Sequence, residues 1–232
     1  MKKVFIETNN VQQLRRAVQQ AEDFEKGRPG MVAVWGEAGS GKTEAARMLY
    51  AEKGVYLRAM EGITQAAFLQ DLCYEVKGSR PHGAHRCKMA IIEALDDTRT
   101  TIYLDEADRL DVRRIEDLRD IHDITGSPIV LIGEQGLPTK LEARSRIIDR
   151  IPEEFRIPFQ KMDRSDVALF ALDAASLNLS PEACVLVHRE AKGNFRRVHN
   201  LLLSIEGAAR AAGTESVGVD MVKAVIATHK RR

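Results

Sequence analysis

A parallel α/β domain followed by a smaller helical domain is the fold this sequence predicts, and three observations carry it. The first is Gly36 to Thr43, G-E-A-G-S-G-K-T, which satisfies every fixed position of the phosphate-loop pattern G-x-x-x-x-G-K-[ST]. It lies between an apolar run, Met31 to Trp35, and a helical pattern, Glu44 to Glu52, the strand–loop–helix context the motif requires. The second is a set of short apolar strands separated by helical patterns, one of which, Pro128 to Gly133 (P-I-V-L-I-G), is apolar throughout, as a parallel sheet covered on both faces requires. The third is a change to helical patterns alone after Gln160. The expected organisation is therefore a doubly wound nucleotide-binding domain over residues 1–160, a five-stranded parallel sheet between helices, and a helical lid over residues 161–232.

The elements follow in order. From Asn10 to Phe24 the apolar residues Val11, Leu14, Val18, Ala21 and Phe24 keep helical spacing, and G-R-P-G (Gly27 to Gly30) turns the chain into the first strand. Val55 to Ala59 is the second strand. Helices are expected over Thr64 to Val76 and His85 to Asp96, split by a turn-rich break at Gly78 to Gly83. Thr101 to Asp105 is the third strand. A helix over Val112 to Ile124 sets Val112, Ile115, Leu118 and Ile121 on one face, with Arg113, Arg114, Asp117 and Asp120 elsewhere. Pro128 to Gly133 and Phe155 to Phe159 complete the sheet. Beyond Gln160, Asp163 caps one helix, Ser180-Pro181 opens another that Gly193 ends, Phe195 to Ile205 carries the stripe of a third, and a last helix spans Asp220 to His229.

Composition excludes several classes. The 232 residues carry 35 Lys plus Arg against 34 Asp plus Glu, a formal charge of +1, so nucleic-acid binding would need a local basic patch. Cys73, Cys87 and Cys184 are odd in number and lack C-x-x-C spacing, which argues against a disulfide framework or structural zinc. No signal-peptide core or membrane-spanning apolar run is present, so a soluble protein of a reducing cytosol, with no membrane partner, is expected.

The chemistry concentrates in two motifs. In the phosphate loop, Gly36, Gly39 and Gly41 let successive backbone N–H groups face one anion, and the following helix adds its positive end. Lys42 is placed to reach the β- and γ-phosphates and the Thr43 hydroxyl to take a Mg²⁺ position. Gly36, Glu37, Ala38, Gly39, Ser40, Gly41, Lys42, Thr43 and Glu44 are thus the expected contacts for ATP. In the second motif, Ile102-Tyr103-Leu104-Asp105-Glu106, an apolar strand ends in two adjacent carboxylates. Asp105 can serve the Mg²⁺ alongside Thr43, and Glu106 can polarise the attacking water. A Gly-rich turn and a solvated acidic turn are the plain structural alternatives.

With G-E-A-G-S-G-K-T, I-Y-L-D-E-A-D-R-L, P-I-V-L-I-G and G-N-F-R-R in place, the sequence resembles the AAA+ ATPases over nearly its whole length. Within them, D-E-A-D-R-L followed by L-R-D-I-H-D-I-T-G-S-P-I-V-L-I-G looks most like the transposition ATPases typified by the B protein of Mu-like phages, and like the ExeA and TniB groups. That resemblance implies an ATP-dependent ring or helical oligomer that coats double-stranded DNA with little sequence preference, marks it as a transposition target and engages a transposase. A helicase loader of the IstB or DnaC kind, an ExeA-like assembly ATPase, and a nucleotide-gated scaffold without hydrolysis are the alternatives. The resemblance also implies a sensor-2 role for Arg196, next to Arg197, and an arginine finger among Arg144, Arg146 and Arg150, with Arg150 first and Arg146 second. At sensor 1 the chain departs from the pattern, with Glu134 and Gln135 where relatives carry Asn or Thr. Arg58, Thr64, Arg80, Arg86, Lys88, Arg113 and Arg114 are the candidates for DNA contact.

Overall fold

The computed structural model describes residues 6–25 and 27–229. Its contacts divide the chain into two units, one of 10–37 and 42–159, the other of 38–41 and 160–229 together with residues 6–9.

The larger unit runs α1 (Asn9–Asp23), β1 (Met31–Trp35), α2 (Lys42–Glu52), β2 (Val55–Arg58), α3 (Gln65–Lys77), α4 (Ala84–Asp97), β3 (Ile102–Asp105), α5 (Val112–Thr125), β4 (Ile129–Gly133), α6 (Leu137–Glu142), α7 (Ser145–Ile148) and β5 (Arg156–Pro158). The strands form one parallel sheet in the order β2-β3-β4-β1-β5. Burial on both faces explains the unbroken apolar strands: Ile129 to Gly133 is buried throughout, as are Met31 to Val34. Each fully buried Val, Leu or Ile there contributes about 2 kcal/mol of transfer free energy. Register then places chemistry. Met31 pairs with Ile129 and Trp35 with Gly133, whereas Arg58 at the end of β2 stands beside Asp105 at the end of β3.

Local signals set the helix ends. Thr64 accepts from the Ala67 N–H at the start of α3, and Asp111 accepts from the Arg113 N–H at the start of α5. Gly78 and Gly126 end those helices in the left-handed conformation. The starts of β1 and β4 are joined through His122 on α5, whose Nε2 accepts from the Gly30 N–H at 3.2 Å while Nδ1 lies 2.8 Å from the Ser127 carbonyl. Since Gly30 can only donate, the ring carries its proton on Nδ1 and donates it to Ser127.

One expectation about α5 is corrected. Asp117, set by periodicity off the apolar face, is buried, because α4 packs against α5 and Gln65 of α3 reaches its carboxylate. Its carboxylate accepts from Gln65 Nε2 at 3.0 Å, Lys88 Nζ at 3.3 Å and Arg114 Nε at 3.2 Å. Buried charge requires such compensation.

The second unit contains α8 (Arg164–Ala175), β6 (Asn178–Leu179), α9 (Pro181–Ala191), α10 (Phe195–Ala211), β7 (Ser216–Val217) and α11 (Val219–His229). Asp163 and Asp166 form a capping box on α8, and Ser180 caps α9 with Pro181 in its first turn. Val167, Phe170, Val187, Val198, Leu202, Ile205 and Val222 form its core, which Ile6 joins. The expectation of helices alone after Gln160 fails here, because β6 and β7 pair in parallel. Strands of two residues present no alternation in sequence; pairing creates them. Among the described residues no helix is long and apolar enough to cross a membrane.

Candidate nucleotide site

The site grows from the end of β1. Beyond Trp35 the chain enters the phosphate loop, with Gly39 and Gly41 at φ +79° and +97°, a conformation that L side chains rarely adopt. Lys42 opens α2 and is buried, its Nζ donating to the carbonyls of Gly36 at 2.9 Å and Glu37 at 3.0 Å. The loop thus holds the ammonium against its own backbone, beside the amides that would face a phosphate. Glu37, Ala38 and Glu44 are exposed, and Ser40 is half-buried. The Glu44 carboxylate accepts from Arg47, one turn along α2.

Within the unit that includes Ala38–Gly41, the loop crest meets the start of α10. Asn194 caps α10 by accepting from the Arg197 N–H at 3.3 Å, and its Nδ2 donates to the Ala38 carbonyl at 2.8 Å. The Arg196 N–H donates to the Gly39 carbonyl at 3.0 Å. A Cβ on Gly39 would lie 2.8 Å from Asn194 Oδ1, so close approach as well as φ requires glycine there. The Arg196 and Arg197 side chains are exposed.

The acidic pair at the end of β3 is drawn to the same loop. Asp105 is 4% exposed. Its Oδ2 accepts from Thr43 Oγ1 at 2.8 Å and from Tyr56 Oη at 2.8 Å, and its Oδ1 from the Glu106 N–H at 2.9 Å. A buried carboxylate in contact with a threonine hydroxyl is the hard oxygen pair that Mg²⁺ prefers, so these two residues fit the ion. Burial first, then the hydrogen bond and charge of Asp105, push the Tyr56 phenol well above the usual tyrosine range, so its hydroxyl remains a donor.

Glu106 has a different environment. Its backbone is left-handed, at φ 55° and ψ 36°, a conformation that costs a non-glycine residue about 1 kcal/mol or more and turns it away from the strand. Arg58 Nη2 pairs with its Oε1, and Arg109 Nε lies 2.5 Å from its Oε2. The adjacent acids therefore diverge: Asp105 takes hydroxyl donors, Glu106 two guanidinium groups.

At the end of β4, Glu134 and Gln135 are both exposed. The Glu134 N–H donates to Asp108 Oδ1 at 2.9 Å, and a Cβ on Gly133 would lie 2.5 Å from that oxygen. Asp108 thus tethers β4 to the short turn after β3. Arg150 donates to Asp123 through Nε at 2.9 Å and Nη2 at 3.1 Å, a bidentate pair with α5, whereas Arg144 and Arg146 are exposed. Among the residues considered for DNA, Arg58 pairs with Glu106, Arg80 with Asp71, Lys88 with Asp117 and Asp120, and Arg114 with Asp117, while Thr64 is the α3 cap. Arg86 and Arg113 are exposed.

Sequence reasoning missed Tyr56, Arg109, Asp108 and Asn194. One signal existed for Asn194, a capping residue directly before an apolar-periodic helix. Alternation along V-Y-L-R puts Tyr56 and Arg58 on one face of β2, but only the register with β3 reveals that the face meets the acids.

Comparison with known proteins agrees with this geometry. Residues 25–141 match the AAA domain family. The ATP-dependent target DNA activators B of Escherichia phages D108 and Mu are each 25% identical over 229 residues, 94% of this chain and 71% of theirs. A potential ATP-binding protein of Staphylococcus aureus is 26% identical over 131 residues, 53% of this chain, which spans about half (48%) of that relative's length. Among solved structures, the Aeropyrum pernix ORC2 protein matches with a TM-score of 0.71 at 15% identity, over 97% of this chain and 68% of that one, a likeness of fold. With the family match covering just over half of its length, and the sheet order and phosphate loop described above, the chain belongs to the AAA domain family.

Proposed function

We propose that this protein is an ATPase that assembles on double-stranded DNA when ATP is bound, marks that DNA as a transposition target and stimulates a transposase. The observation that carries the reading is the likeness, over 94% of the chain, to two proteins named as ATP-dependent target DNA activators, in a chain whose Lys42, Thr43, Asp105 and Glu106 are all present. In this reading the loop amides and Lys42 bind the phosphates of ATP, Thr43 and Asp105 hold Mg²⁺, and Glu106 orients the attacking water. The bound ion would supply neutralisation of charge on the phosphate oxygens. Arg196 is the proposed sensor of the phosphates. An arginine of the Arg144 to Arg150 segment would complete a neighbouring subunit's site; Arg146 is exposed, whereas Arg150 would first have to leave Asp123. ATP contacting two subunits favours assembly, and loss of the γ-phosphate removes that preference.

Light scattering and DNA binding in ATP, ADP and no nucleotide test the reading. Large DNA-bound assemblies in ATP alone are expected, weakening steeply with salt. Unchanged size and no DNA binding in every nucleotide state would overturn it.

A second outcome follows from the Glu106 ion pairs. Arg58 is 64% exposed, so its pair with Glu106 is screened by solvent and weak. Arg58→Ala is expected to release Glu106 Oε1, leaving Arg109 on Oε2, and to raise basal ATP turnover about two- to fivefold, measured as phosphate release without DNA. Lower turnover with unchanged ATP affinity would instead make Arg58 a contributor to catalysis.

A further inference from the structure

We infer that Tyr56 is a positioning residue for the metal half of the nucleotide site, holding the Asp105 carboxylate in the orientation that serves Mg²⁺. Asp105 is a short side chain whose terminal torsion is soft, so burial alone does not fix the plane of its carboxylate. Three protein donors do. Thr43 and Tyr56 both reach Oδ2 at 2.8 Å, and the Glu106 N–H reaches Oδ1 at 2.9 Å. Thr43 cannot fulfil the role alone, because its oxygen is the atom expected to face the ion. The Glu106 N–H belongs to a left-handed turn that follows the carboxylate and does not brace it from the sheet. Tyr56 is the donor on a separate strand.

Its geometry suits that purpose. Tyr56 sits in β2, in register with Tyr103 and two residues before the Arg58–Asp105 pair, so the sheet sets its distance from Asp105. Its ring stacks on Tyr50 of α2, with centroids 4.9 Å apart and planes at 26°. Because α2 begins at Lys42, the brace ties the carboxylate to the helix that also presents Thr43. With Tyr56 and Thr43 on Oδ2 and Glu106 on Oδ1, the remaining acceptor capacity lies mainly on Oδ1. The carboxylate therefore offers an ion or its water one defined direction.

The inference rests on the ATP and Mg²⁺ part of the proposed function and on nothing about DNA or transposition. Tyr56→Phe tests it, since it keeps the ring on Tyr50 and removes only the hydroxyl. Binding of a fluorescent ATP analogue is measured across a Mg²⁺ titration and in EDTA, with Mn²⁺ occupancy of the nucleotide complex read by electron paramagnetic resonance. The expected result is a rise of about tenfold in the Mg²⁺ needed for half-maximal tight binding, with affinity in EDTA unchanged, from the loss of a hydrogen bond to a charged group. Tyr50→Phe, which keeps the stack and leaves the three donors to Asp105 in place, is expected to behave as the parent. A Tyr56→Phe protein with the parental Mg²⁺ and Mn²⁺ dependence, or one weakened equally in EDTA and in Mg²⁺, overturns the role. A parent chain that binds the analogue no better with Mg²⁺ than without overturns both this inference and the metal reading beneath it.

Discussion

Glu106→Gln is expected to bind ATP as the parent does and to lose hydrolysis by about two to four orders of magnitude, the range that a positioned general base contributes. The substitution keeps the length and shape of the side chain, so the left-handed turn at φ 55° and the Asp105 contact to its N–H need not change. The carboxamide removes the negative charge and the proton acceptor together. It also dissolves the two ion pairs with Arg58 and Arg109, which are 64% and 51% exposed in their side chains and so cost little stability. Thermal melting should therefore stay near the parent's while single-turnover phosphate release collapses. Turnover within about threefold of the parent would remove Glu106 from the catalytic role, because losing a general base costs far more than that.

Asp117→Ala is expected to be the most damaging single truncation outside the hydrophobic core, at about 2–3 kcal/mol of unfolding free energy. Removing one member of a buried ion network leaves a charged partner unpaired, typically at about 3–5 kcal/mol; here that partner is Arg114, while Lys88 keeps Asp120. Partial exposure of Lys88, at 20%, and of Arg114, at 13%, lets water recover some of that. The damage reaches across three helices, since Gln65 belongs to α3, Lys88 to α4 and Arg114 to α5. Asp120→Ala provides the contrast: its side chain is 38% exposed, and Lys88 would keep Asp117, so about 0.5–1 kcal/mol is expected. Urea unfolding at neutral pH distinguishes them. Equal losses for the two variants would mean that burial of Asp117 carries no special energetic weight.

The phosphate loop and the strands were readable in the chain because their signals are local. A Gly-rich loop must be glycine where φ is positive, and a strand covered on both faces must be apolar, whatever surrounds it. The same holds for the caps Asp163 and Ser180, whose hydrogen bonds reach three residues ahead. Asp117 shows the limit of that reading. Helical periodicity set it off the apolar face, and only the packing of α4 against α5, with Gln65 of α3 reaching the carboxylate, decided that it is interior.

The candidate site divides along the same line. Sequence by itself determined that a phosphate-binding loop and an acidic pair exist, since G-E-A-G-S-G-K-T and L-D-E are contiguous and their chemistry is carried by residue type. What the two acids touch came only with tertiary structure. Parallel pairing of β2 with β3 brings Tyr56 to Asp105, 49 positions apart in the chain, and Arg58 to Glu106, 48 apart, into hydrogen-bond range. The separation of 62 positions from Thr43 to Asp105 closes in the same way. Such contacts depend on strand order and register, which are global properties of the sheet, and a shift of one residue in β2 would turn Tyr56 and Arg58 to the opposite face.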